Sequence, residues 1–303
     1  MPLWWRTARL AGIGGLALGL CALAPGRPRP GADAAEHDGP IGELRYTVTD
    51  ASLRGAREVA AGHVVLHVEN SSARPHQVAL WLVPRGRTRQ VLMDSMRVTG
   101  RPPQGLIPFG GIGPLPAGQK GSMLMRLAPG EYIVYCTLNG TDGDAWFKHG
   151  VVAALDVTGE STLDLPYETA YGGIQITDAR IAFGATIKTG DRRLMSEGMR
   201  RRGWIVAGQQ SLQVESFAGP GHAMVLIKSN DPAQMARYAA WQDGRGGTPP
   251  NLVSGLPAVP PGQRVYLRVN LTPGGHILFC PIRHARTGLR GYETGEFTQF
   301  LVR

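Results

Sequence analysis

Residues 115–136 read LPAGQKGSMLMRLAPGEYIVYC, and residues 259–280 read VPPGQRVYLRVNLTPGGHILFC. Both stretches carry Pro-x-Gly-Gln followed by a basic residue, an alternating strand, a Pro-Gly turn, and a second strand that runs into a cysteine, Cys136 or Cys280. The offset is 144 throughout. A second pair lies upstream. Residues 61–70, AGHVVLHVEN, lead on to His76 and Leu80, and residues 207–216, AGQQSLQVES, lead on to His222 and Leu226, at an offset of 146. The chain is therefore a tandem duplication, and each copy keeps one His and, about sixty residues later, one Cys.

Composition agrees with strands and turns. Of 303 residues, 42 are Gly and 23 are Pro, while only 18% are charged, a mixture that suits short alternating runs broken by turns. That length accommodates two domains, each with its own core. We place them at 42–158 and 172–303, joined by a linker at 159–171. The formal net charge is +9. Without residues 1–35, which carry four arginines and Asp33, it is +6. No basic stretch is interleaved with aromatics, so a nucleic-acid partner is not expected, whereas an acidic partner protein suits the charge.

Residues 1–35 read as an export signal. Arg6 and Arg9 precede an apolar stretch at 10–24 that is short for a membrane span, and Ala32-Asp-Ala34 forms a cleavage site. The segment ending at Cys21 is also similar to a lipoprotein signal, with Leu20 where a small residue is expected, so cleavage ranks above a lipid anchor. Either route places the mature chain in the periplasm or outside the cell, with no membrane span. Cys136 and Cys280 then remain. They end equivalent strands of separate copies, too far apart for a bridge, and both thiols are expected free.

Strands are expected at 44–53, 58–70, 77–83, 122–127, 132–136 and 151–157. In the second copy they fall near 174–183, 204–216, 223–229, 264–271, 276–280 and 296–302. Residues 99–116 read as a Gly/Pro-rich loop, and 184–202 as an insertion. Asp231-Pro-Ala-Gln234 starts a helix that buries Met235, Tyr238 and Ala239.

Each copy resembles a cupredoxin, the Greek-key β-sandwich of blue-copper proteins. The residues that carry the resemblance are a His just before an apolar strand, then a Pro-Gly turn, a strand ending in Cys, a loop and a last strand. It covers nearly all of residues 42–303. It implies an all-β fold of two tandem sandwiches. It also implies copper held by two His and a Cys with a weak axial ligand, and a redox partner protein. In copy one the implied ligands are His76, Cys136 and His149, with Val151 near the axial position. In copy two they are His222, Cys280 and His284, with Glu296 near the axial position.

His149 flanks its closing strand as a ligand should, which favours copy one. The loops depart from the family pattern. If Gly150 and Gly295 take the place of the family's Gly-Met, then Trp146 and Gly291 stand at the second His, and both sites have lost half their ligands. The alternative is a copper-free module for protein interaction. His63 and His67 share one strand face, and with His276 they are expected at the surface; His37 belongs to the N-terminal segment. No His-x-His pair of a multicopper enzyme occurs, nor a hydrolase motif, so an enzyme is not expected.

Overall fold

The computed structural model describes residues 41–140, 142–160, 172–177, 180–185, 205–216, 222–259 and 262–303, the strands within 172–185 by their backbone alone. The segment read as an export signal, with Cys21, nearly all of the expected linker and most of the expected insertion lie outside the described residues. Among the described residues no helix is long and apolar enough to cross a membrane.

Copy one runs β1 (Gly42–Thr49), β2 (Ser52–Gly55), β3 (Glu58–Ala60), β4 (Gly62–Asn70), β5 (His76–Leu82), α1 (Arg89–Thr99), β6 (Ile107–Leu115), β7 (Lys120–Leu127), β8 (Gly130–Tyr135) and β9 (Val152–Thr158). Copy two runs β10 (Gly172–Thr177), β11 (Arg180–Ala185), β12 (Gly208–Ser216), β13 (Met224–Lys228), α2 (Ala233–Gln242), β14 (Leu252–Leu256), β15 (Arg264–Leu271), β16 (Gly274–Phe279) and β17 (Phe297–Val302). Element for element the copies match, apart from β3. Each is a Greek-key sandwich. In copy one β2-β1-β4-β7 faces β3-β9-β8-β5-β6, and in copy two β11-β10-β12-β15 faces β14-β13-β16-β17. Cys136 and Cys280 directly follow the equivalent strands β8 and β16, and both are free thiols, as expected.

The copies join edge to edge. β7 pairs antiparallel with β15, so one eight-stranded sheet runs through both, and residues 38–303 form one compact unit. Within that pairing Met123 lies opposite Leu267, Leu124 opposite Tyr266, and Ser122 opposite Arg268. Met123 and Leu267 are separated by the repeat offset itself, so the pseudo-twofold axis relating the copies passes through that pair. On the opposite layer β6 meets β14, where Gly110 N–H donates to Ala258 O at 3.1 Å.

Alternation builds the core. Leu44, Tyr46 and Val48 of β1 are buried while the residues between them are exposed, the period of a strand with one wet face. Each buried apolar side chain stabilises by about 1.5–3 kcal/mol relative to its exposed state. One core cluster reaches across both copies, from Val64 and Met123 to Leu212 and Leu267.

Two expectations change. Residues 99–116 are not all loop, because β6 is a strand despite its sequence IPFGGIGPL. Its glycines permit the close approach. Gly111 has φ 137°, and a Cβ there would lie 2.9 Å from Ala79 Cα. Helix α1, which sequence left unassigned, buries Leu92, Met93 and Met96 against β8 and the turn at Phe147. Helix α2 forms as read. Ala233 N–H donates to Asp231 Oδ1 at 2.9 Å, and Met235, Tyr238 and Ala239 are buried.

Candidate metal centre

At the pole of copy two, β16 delivers Cys280 and a loop of sixteen residues, 281–296, returns to the closing strand through a single 3-10 turn, Gly291–Thr294. Gly295 caps that turn in the left-handed region, with φ 102°, and Glu296 follows. Cys280 N–H donates to Glu296 O at 3.0 Å, and Glu296 N–H donates to Gly291 O at 2.8 Å. The backbone therefore fixes Glu296 beside Cys280. His222 arrives from the residues before β13.

Among the described residues, His222, Cys280 and Glu296 are the one group of three His, Cys, Asp or Glu side chains whose ligand atoms lie within 4.8 Å of one another. All three are buried, Glu296 fully. Glu296 Oε2 sits 3.0 Å from His222 Nδ1, and Oε1 sits 2.6 Å from His284 Nε2. The latter contact is close but badly aligned, and neither His284 Nε2 nor Glu296 Oε1 makes a directed hydrogen bond. The rings of His222 and His284 stand 5.4 Å apart, centroid to centroid.

A carboxylate with no exposure costs several kcal/mol unless a cation or a full set of donors meets it. Neither is provided here by Lys or Arg. The Cys280 sulfur accepts the backbone N–H groups of Ile282 and Ala223, yet burial pushes its thiol up to about 12, and the Glu296 carboxylate adds to the rise.

Space decides between the copies. A Cβ on Gly291 would come within 2.7 Å of Cys280 Cβ and closer still to Glu296 Oε2. Residue 291 can therefore carry no side chain without displacing Cys280 or Glu296. Its counterpart is Trp146. In both copies this residue's carbonyl accepts the N–H after the Gly cap: Val151 N–H donates to Trp146 O at 3.2 Å, as Glu296 N–H does to Gly291 O. The Trp146 indole is buried, 4.7 Å from the His76 ring and 5.7 Å from the His149 ring.

In copy one the expected residues are otherwise engaged. His76 Nε2 meets Asp50 Oδ1 at 2.9 Å, while Nδ1 is buried without a partner. Burial lowers the His76 pKa against the pull of Asp50. Gln77 N–H donates to Cys136 Sγ at 3.4 Å, and burial pushes that thiol up to about 12. His149 is exposed and pairs with Asp142 at 3.1 Å. Val151 is buried in the core cluster and brings no donor atom. His76, Cys136 and His149 do not form a converging group, whereas His222 and Cys280 of the second set do, together with Glu296, and His284 reaches that group through Glu296. The signal for Glu296 was its place directly after the Gly cap.

His63 and His276 are buried rather than at the surface. His276 stacks on Phe300 at 5.5 Å, because β16 is covered on both faces.

The loop that carries His284 is clamped. The buried Arg290 guanidinium donates to Pro281 O, beside Cys280, and to Asp243 Oδ1 and Gln242 Oε1 at the end of α2. Burial raises the Asp243 carboxyl, but hydrogen bonds from Arg290 and Arg245 outweigh it and hold it below its ordinary value. Asn139 of copy one donates to Gln242 O at 3.4 Å.

No protein-family model matches the chain, and no curated protein matches it. Solved structures similar to it include a multicopper oxidase, 14% identical over 86% of this chain and 88% of that one, TM-score 0.23. The blue copper oxidase from Nitrosomonas europaea is 13% identical over 87% of this chain and 86% of that one, TM-score 0.23. Auracyanin from Roseiflexus castenholzii is 16% identical over 40% of this chain and 100% of that one, TM-score 0.28. The likeness is distant and assigns no activity to this chain. It does correct one expectation. Two of these three structures are oxidases, aligned over most of both chains, so the exclusion of an enzyme does not stand.

Proposed function

We propose that this is an exported cupredoxin-like protein that binds one copper ion at His222, Cys280, His284 and Glu296 and exchanges electrons with a partner protein in the periplasm or outside the cell. The observation that supports it is the buried convergence of the His222 imidazole, the Cys280 thiol and the Glu296 carboxylate, with His284 Nε2 against Glu296 Oε1 and neither of those two atoms making a directed hydrogen bond. The donor set fits copper, and copper there would supply a one-electron couple softened by the thiolate. The chain's own part is to present the ligands on a rigid pole, exclude water through burial of Cys280 and Glu296, and leave His284 at the surface, its side chain 24% exposed.

The test is titration of the purified protein with Cu(II), and separately with Zn(II), following metal content and visible absorption. One copper per chain with an intense thiolate-to-copper band is expected, and copper should displace zinc. Uptake of zinc alone, or two coppers per chain, would refute the reading.

Two further outcomes follow from the site. Because the Cys280 thiol is raised to about 12, it is protonated at pH 8, and copper must displace that proton. Uptake should release one proton from the thiol, and affinity from this source should rise about tenfold per pH unit. In the metal-free protein the sign is opposite. Both thiols are raised from 9.0 to about 12, so the folded form holds protons the unfolded form gives up. Stability should be full below about pH 9 and fall as pH climbs towards 12, seen as a declining Tm.

Arg290→Met should leave the fold intact while loosening the loop. Copper affinity should fall by about 10–100-fold, as for other groups that orient ligands, with a shifted absorption band. Arg290→Lys should restore part of it. Unchanged affinity and band in Arg290→Met would remove the clamp from the site.

A further inference from the structure

A second feature, remote in sequence from the copper ligands, lies on the flank of copy one. A cleft of about 560 Å³ opens between β2, α1 and β9. Arg54, Arg57 and Arg89 line it, and Asp156 is the only acidic residue that does. Both Asp156 oxygens are already taken by Arg89, at 2.6 and 3.3 Å, and Arg89 also donates to Leu155 O at 3.0 Å. Glu131 reaches Arg89 only at 3.9 Å. The side chains of Arg54 and Arg57 make no hydrogen bond or ion pair with any described residue.

The arginines are held there. Asp156 N–H donates to Arg57 O at 2.8 Å, tying the turn after β2 to β9. Arg89 is the first residue of α1, whose first turn has no acidic residue and no side-chain cap, so its dipole adds positive potential. Three guanidinium groups against one carboxylate leave the lining at +2. Like charges gathered in one concavity repel unless an anion joins them. Met93, Val152 and Ala154 add apolar surface to the lining. The volume lies within the range of small-molecule sites.

We propose that this cleft binds a small organic dianion, an oxyanion group carried on a compact apolar body. Arg54 and Arg57 take the oxyanion as charged forks, Arg89 is a third donor held by Asp156, and the apolar body covers Met93 and Ala154. The site is independent of the copper centre.

Phenyl phosphate, benzoate and inorganic phosphate, titrated calorimetrically into the full chain, test it. Phenyl phosphate should bind at one site per chain, and both benzoate, with one charge, and inorganic phosphate, with no apolar body, should bind at least about tenfold more weakly. Arg54→Gln with Arg57→Gln should lower phenyl phosphate affinity at least about tenfold, whereas Arg97→Gln with Arg101→Gln, an equal loss of charge elsewhere, should not. Ala154→Leu should weaken phenyl phosphate and spare inorganic phosphate. The proposal falls if phenyl phosphate does not bind, if both double variants weaken it equally, or if the Arg54/Arg57 pair leaves it unchanged. Copper uptake should be normal in every variant, which separates this result from failure of the metal site.

Discussion

Cys280→Ser should abolish the visible charge-transfer band and weaken copper binding by more than the 10–100-fold or so that an outer group costs, whereas Cys136→Ser should leave both unchanged. The two thiols are alike in nearly every local respect. Each follows an equivalent strand, each is buried, each is pushed up to about 12, and each accepts two backbone N–H groups. They differ in their company. Cys280 faces Glu296 and His222 within 4.8 Å, while copy one places Val151 where Glu296 stands. A copper-loaded protein whose colour survives Cys280→Ser and vanishes in Cys136→Ser would reverse the assignment.

Gly291→Ala should remove the copper site while leaving the protein folded. The new methyl carbon would press on Cys280 Cβ at 2.7 Å and on the Glu296 carboxylate, neither of which can retreat from a packed pole. Overpacking of this kind costs about 1–3 kcal/mol, and the ligands give way before the sandwich does. The converse change differs in kind. Trp146→Ala should lower stability by about 3–5 kcal/mol, because it empties a filled core position, and should gain no copper, because Val151 brings no donor. Denaturant melts and copper titration of both variants check the pair. Full copper binding by Gly291→Ala would mean that the ligands do not depend on the bare backbone at 291.

Much of this was legible in the sequence. The gap-free repeat around Pro129-Gly130 and Pro273-Gly274 fixed equivalent strands ending at Cys136 and Cys280, and the Asp231 cap announced α2. Helix α1 was not legible. Thr88 makes no capping bond, its first turn has no acid, and only three of its eleven residues are buried. β6 was hidden by Pro108 and Pro114, which a strand accommodates at an irregular edge. At the site, spacing pointed to His149, but spacing does not report volume. The copies differ by an indole against a hydrogen at one aligned position and by Val151 against Glu296 at another, and the effect of the first appears only when neighbours are placed around it. His276 was misplaced because alternation assumes one wet face, and α2 removes it from β16.

The twofold seam at Met123 and Leu267 has the geometry by which two identical subunits meet. In such a dimer one gene writes both halves, and every substitution arrives twice. A Trp at the pole would then close both poles, and a Gly would open both. Once the halves share a chain, that constraint ends. One pole can carry a Trp for rigidity while the other keeps a Gly beside its ligands, and the filled half still braces its twin along β7. Asymmetry of this sort is available to a fused pair and closed to an assembled one.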